Sequence, residues 1–275
     1  DESDLITGDD LSSERELNQI TKLPNLFNYL EVTATPMANI FTNKMNYFYK
    51  LEKSSDYVDI KHPRILWQSC ESVESKEVEK DVAVMGNILE KGLLKKICIA
   101  LMITSNKNDE QKYLLSRLIN KYNKYVGITF NQKGVSLKQF NPETGQAKTI
   151  KKYHTISDAI SGAIKMGNKY ICIMAGRKAD RGIGFVSNDY KYHLTDLYVR
   201  TISDLSKSSM YCESLVQKLR ILGIYRSEHE IYKGELESRL CIWCSPGLKD
   251  EILNCNNQID LITEKLVEIT RSGTK

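Results

Sequence analysis

The chain has 275 residues, room for one or two domains. No run approaches the roughly 18 consecutive apolar residues of a membrane-spanning helix, and the acidic opening Asp1-Glu2-Ser3-Asp4 is unlike a signal peptide. With 39 basic and 35 acidic residues the net charge is +4, a balance that permits a basic groove without requiring a nucleic-acid partner. Seven cysteines at irregular spacings in a Lys-rich chain of this size read as reduced, mostly buried thiols of a cytoplasmic protein, or of the host cytoplasm for a viral one, and not as a disulfide framework.

Residues 5–22 are polar and read as a loop and a short helix. Leu26 to Thr33 reads as a strand stopped by Pro36, which cannot donate to a ladder. Residues 37–75 carry little pattern beyond a strand candidate at Tyr57–Ile60 and a turn at His62-Pro63, so 51–75 is assigned to a linker or insert. From residue 76 a regular alternation begins. Val78, Val82, Met85, Leu89 and Leu93 recur at helical spacing, and Ile97–Ile103 is a continuous apolar run of strand length. A helix over 108–123, a strand over Tyr125–Phe130 and a turn at Gly134 follow. Next come a helix over Ile156–Ile164 with Thr155 or Ser157 as cap, a strand over Tyr170–Met174 and one over Leu194–Val199. A helix over 211–222 and a strand over Leu240–Trp243, broken by Ser245-Pro246-Gly247, lead to a last helix over 248–271. That helix carries Leu248, Ile252, Cys255, Ile259, Ile262, Leu266 and Ile269 at heptad spacing. The stripe fits packing within the fold or, alternatively, contact with a partner such as a nuclease or another subunit. Strands alternating with helices of this length predict an α/β fold, a parallel sheet with helices on both faces.

Four short segments carry chemistry. An acidic pair at a strand end suits Mg²⁺ on a nucleotide's phosphates and the water that attacks them; Asp1 and Glu2 fit if a strand precedes them, with Asp1 holding Mg²⁺ through water. Thr33-Ala34-Thr35-Pro36 places small hydroxyl side chains at a strand end. Gly176-Arg-Lys-Ala-Asp180-Arg181-Gly182-Ile183 leaves a buried strand, its two glycines permitting close approach of backbone to a phosphate or to another domain. In Gln217-Lys-Leu-Arg220-Ile-Leu-Gly223, Gln217 and Arg220 are three apart and share a face of the expected helix, with Arg226 beyond. Each has a bland reading: a solvated terminus, a strand exit, a structural glycine loop, a charged helix surface.

In this order the segments resemble motifs II, III, V and VI of superfamily 2 helicases and translocases. The resemblance runs closest to the restriction-associated helicase-like ATPases called the Z-one domain family. It implies RecA-like domains: a remnant of the first over 1–50, the linker over 51–75, and a second domain over 76–275. It implies ATP and Mg²⁺ as cofactors and a nucleic-acid partner, DNA ahead of RNA. Asp1 and Glu2 would serve Mg²⁺ and water. Thr33 and Thr35 would couple the sites. Ser105, placed like the motif IV serine, would touch the nucleic-acid backbone with Arg181 and Gly182. Gly176, Asp180, Gln217 and Gly223 would meet the nucleotide. Arg220, with Arg226 as its competitor, would be the arginine finger. The chain departs from the Z-one pattern at Ala179-Asp180, where that family has Leu-Ser, and at Ile221 and Leu222, where it has aromatics. No G-x-x-x-x-G-K-[ST] occurs, so the expected role is that of a fragment lacking the P-loop half and inactive alone. The alternatives are a non-catalytic nucleic-acid- or protein-binding module with a degenerate motor fold, or the translocase subunit of a restriction system.

Cys241-Ile-Trp-Cys244 is a single C-x-x-C, and its members, three apart on a strand, face opposite ways. It does not make a zinc site, for which four ligands are usual. His62, His154, His193 and His229 have no metal or nucleophile spacing.

Overall fold

The computed structural model describes residues 50, 52–71, 78–92, 97–103, 108–131, 133–176, 184–200, 211–225 and 240–272. They fall into two units: a larger one within 54–206 and 217–251, and a smaller one to which residues 50, 52–53, 211–216 and 252–272 belong.

The larger unit is built on an eight-stranded sheet. Its strands are β2 (Ile65–Ser69), β3 (Cys98–Ile103), β4 (Val126–Asn131), β5 (Gly134–Asn141), β6 (Gln146–Tyr153), β7 (Tyr170–Ala175), β8 (Asp196–Tyr198) and β10 (Leu240–Cys244). The order across the sheet is β2-β10-β8-β3-β7-β4-β5-β6. The run from β2 to β4 is parallel throughout, and β5 and β6 extend it as an antiparallel hairpin. β3, β4 and β10 are buried at every position, as an apolar run in a two-sided parallel sheet must be. The short strands β1 (Tyr57–Val58) and β9 (Gly223–Ile224) pair separately.

Helices α1 (Val78–Gly92) and α2 (Asn108–Lys121) cover one face. Their Val82, Met85, Ile88, Leu114, Leu115, Leu118 and Ile119 pack with Ala100, Met102, Cys172, Met174, Tyr198, Cys241 and Trp243 from the strands. Gly127 in β4 permits that approach, since a Cβ there would lie 2.5 Å from Leu115 Cδ1. The opposite face presents the row Trp67, Ile242, Leu197, Leu101, Ile173, Ile128 and Leu137. The β4-to-β7 connection runs back along the sheet, so a right-handed crossover places α3 (Ile156–Lys165) on this second face. Its buried Ile156, Ala159, Ile160 and Ala163 take no part in the α1–α2 cluster. Thr155 is its N-cap, accepting from the Asp158 amide at 3.1 Å.

Four differences from the sequence reading have physical causes. The sheet is mixed, because Gly134 opens a hairpin at φ +106° and β5 alternates buried Val135 and Leu137 with polar neighbours. The sequence reading left this stretch without strands. Residues 65–69, read within a linker or insert, form an edge strand against β10. Helix α4 covers only Tyr211–Gln217, because Leu222 N–H closes a tight turn on the Leu219 carbonyl at 3.0 Å and Gly223 enters β9. Gln217 and Arg220 therefore do not share the face of one helix. The Ser245-Pro246-Gly247 break starts helix α5 (Pro246–Ser272), with Pro246 at its first position and Ser245 Oγ accepting from Leu248 N–H at 3.4 Å. Along α5 the heptad residues Leu248, Ile252 and Cys255 are buried, Ile259, Ile262 and Leu266 are half-buried, and Ile269 is exposed. No described helix is long and apolar enough to cross a membrane.

Candidate functional site at the carboxyl edge

Open α/β sheets bind ligands at the carboxyl ends of their strands, where successive connections leave in opposite directions. Here β3 connects towards β4 and β8 connects the other way towards β10, and these two strands are neighbours. Beside this switch point Arg200, 6% exposed, follows β8. Its guanidinium meets Asp81 in the first turn of α1 at 3.1 Å and Glu110 in the first turn of α2 at 3.3 Å. Tyr198 donates its hydroxyl to Asp81 at 3.0 Å. Carboxylates in first turns also complement the positive helix ends. The cluster binds the exit of β8 to both helices on that face.

Burial disfavours the ionised forms of the neighbouring thiols and phenol. Burial, and then the Asp81 and Glu71 charges, push the Cys70 thiol up to about 11. Burial chiefly pushes Cys244 up to about 12. Tyr198 is raised far above the ordinary phenol value, by burial first and by Asp81 second. Three strands from β8, Asn131 at the end of β4 donates to Gln111 Oε1 in α2 at 3.2 Å. At the other end of β8, buried Asp196 accepts from Trp243 Nε1 at 3.0 Å and from Thr195 Oγ1 at 2.7 Å. Among the described residues no group of three His, Cys, Asp or Glu side chains could hold a metal ion, and all seven cysteines are free thiols.

Of the residues singled out in the sequence, Asp1, Glu2, Thr33, Thr35, Ser105, Asp180, Arg181, Gly182 and Arg226 lie outside the described residues. Gly176 is buried at the carboxyl end of β7. Gln217 ends α4, and Arg220 lies half-buried in the turn that follows. Gly223 pairs with Val58 in the β1–β9 ribbon. Two residues on, the Tyr225 ring lies 4.8 Å from His193, just ahead of β8. Gly176 leaves the sheet at the opposite end, so the described geometry does not bring Gly176 and Gly223 to one place. Ile103 and Ala175 face each other across the β3–β7 ladder. The segments that begin two residues before Ser105 and at Gly176 thus leave adjacent central strands at one edge.

The sequence reading missed Arg200, Asp81 and Glu110. An Arg directly after the apolar run Leu197-Tyr198-Val199 was the available signal, since a charge so close to a buried strand needs a partner. Comparison of the chain with protein-family models, with curated proteins and with solved structures finds no match.

Proposed function

We propose that the chain belongs to a superfamily 2-type motor that couples ATP hydrolysis to movement on nucleic acid, DNA ahead of RNA. In this reading the larger unit acts as the second RecA-like domain. The observation that carries it is the pairing of β3 with β7: Ile103 stands opposite Ala175. The stretch holding Ser105 and the stretch Gly176–Gly182 therefore start side by side, at the edge where α/β sheets take ligands. Ser105, Arg181 and Gly182 then serve the nucleic-acid backbone and Asp180 the nucleotide, while Gln217 and Arg220, whose segment runs to Gly223 at the other end of the sheet, take their nucleotide roles from the resemblance alone. Asp1 and Glu2 are the Mg²⁺ and water residues of the same reading, with Thr33 and Thr35 as coupling residues. The G-x-x-x-x-G-K-[ST] cradle is not in these 275 residues, so another segment or chain must supply it.

The test is ATP turnover, stimulated by DNA, in a protein that joins this chain to its P-loop. An arginine finger contributes about 10³–10⁵ in rate. Arg220→Ala is expected to lower turnover by about a thousandfold or more, and a loss below tenfold rejects the role. The 275-residue chain alone is expected to hydrolyse no ATP. Measurable turnover by it contradicts the need for a cradle.

A further inference from the structure

We propose that the β5–β6 hairpin is a nucleic-acid-binding surface whose Lys133, Lys151 and Lys152, at its carboxyl-edge end, hold the phosphate backbone of a strand lying along the carboxyl edge. The path of that strand rests on the motor reading; the binding itself does not. The charge distribution is the first observation. Residues 133–154 hold five lysines, Lys133, Lys138, Lys148, Lys151 and Lys152, against one acid, Glu143. That is a net +4, equal to the net charge of the whole chain, so the remainder is neutral. A uniformly mixed surface would not concentrate its excess in one hairpin.

The second observation is that these charges have no carboxylate partner among the described residues, although Lys151 Nζ lies over the Tyr153 ring at 4.9 Å. Arg200 and Arg117 each pair with carboxylates. Among the described residues no carboxylate lies within ion-pair reach of any of the five hairpin lysines. Lys133, Lys148, Lys151 and Lys152 are exposed. Lys138 is half-buried on the α2 side, opposite Gly127. Burial, and then the charge of Lys112 on α2, hold its ammonium below the ordinary range.

The third observation is register. One row crosses the sheet through Ile103, Ala175, Phe130, Val135 and Tyr153. Lys151 and Lys152 immediately precede Tyr153, and Lys133 is two residues from Val135. The carboxyl-edge end of the hairpin is therefore level with Gly176. At about 4.8 Å per strand, β6 is about 14 Å from β7, a span of several phosphates at about 3.4 Å per nucleotide. Lysines alone would also guard an edge strand against pairing with another chain. Guarding explains charge on β6; it does not explain Lys133 at the carboxyl-edge start of β5 or Lys138 half-buried on the α2 side of that inner strand.

The experiment reads binding of the 275-residue chain to a fluorescein-labelled oligothymidylate of about 20 nucleotides, by anisotropy, without ATP, between about 50 and 200 mM salt. The triple variant Lys133→Gln, Lys151→Gln, Lys152→Gln is compared with the control triple Lys124→Gln, Lys165→Gln, Lys169→Gln. The control removes the same charge from exposed positions at the amino edge. Hairpin substitution is expected to weaken binding at least about tenfold and to reduce the salt slope by about 2, at about 0.7 per lost phosphate contact. The control is expected to change affinity less than about threefold. Equal losses in both triples reduce the effect to net charge and overturn the proposal. So does unchanged affinity with self-association of the hairpin variant, which would make the lysines edge guards. A wild-type chain that ignores the oligonucleotide, or that binds only phosphatidylserine vesicles, overturns it as well. Failure of the Arg220 test with hairpin binding intact removes the motor and leaves the surface. The reverse result removes the surface alone.

Discussion

The six parallel strands and the hairpin beside them differ in what their side chains face. In the parallel strands β3, β4, β7 and β10, nearly every position is buried, and the buried carboxylate of β8, Asp196, accepts from Trp243 and Thr195. In β6 no residue is buried, and three lysines stand among eight residues. The core settles its few charges internally, whereas the hairpin leaves its charges to solvent or to a partner. The difference separates scaffold from contact surface: substitutions in the first should cost stability, and substitutions in the second should cost binding.

The largest effect is expected at the carboxyl edge of the core. Arg200→Ala leaves fully buried Asp81 without its guanidinium, a change worth about 3–5 kcal/mol. Urea unfolding followed by circular dichroism should show it as a lower midpoint. The double change Arg200→Met with Asp81→Leu should recover most of the loss, since replacing both members of a buried pair is often neutral. If Arg200→Ala alone is neutral, the pair is not holding β8 to the helices. Trp243→Phe comes next. It removes the indole donor to Asp196 Oδ1 and should cost about 1–3 kcal/mol in the same assay.

The hairpin should behave the other way. Lys151→Gln with Lys152→Gln is expected to move stability by no more than about 0.5 kcal/mol per site, as exposed positions usually do, while nucleic-acid affinity falls. A stability loss as large as that of Trp243→Phe would erase the distinction. The smallest effect concerns pH. Hydrogen bonds from Asn188 first and Thr155 second hold the Asp158 carboxyl below the usual 3.8. A lowered folded value means the contribution is full above 3.8 and disappears as pH falls through the folded value. The melting temperature of Asp158→Asn should therefore lie below wild type at neutral pH, and the gap should close in strong acid. A gap that widens on acidification contradicts the assignment.

How much of this was legible depends on where the deciding partner lies. Apolar runs such as 98–103 and 170–175 announce buried strands by themselves. Thr155 and Pro246 announce helix starts because the cap needs only neighbours within one turn. Strand β2 was missed because its five residues, Ile-Leu-Trp-Gln-Ser, gain strand character only against β10, about 175 residues away in sequence. Strand β6 was missed because Lys-Thr-Ile-Lys-Lys has no apolar alternation; its ladder with β5 and the β-bulge near Leu137 define it. The reach of helix α4 was overestimated because Leu219, Ile221 and Leu222 look helical until Gly223 is drawn into pairing with Val58. The Arg200 cluster joins positions 81, 110 and 200, a meeting no local pattern encodes. The motor motifs were readable as order and spacing, which is why they stand as a proposal about chemistry.

The most direct measurement of the central claim, that the carboxyl edge is the working edge, is amide hydrogen exchange of the 275-residue chain with and without single-stranded DNA. The account predicts protection concentrated at the β7 exit around Ala175-Gly176, at the turn into β5 around Lys133-Gly134, and at the end of β6 from Lys151 to His154. Protection confined to the amino edge, around Lys124, Lys169 and His193, or no protection at saturating DNA, would contradict it.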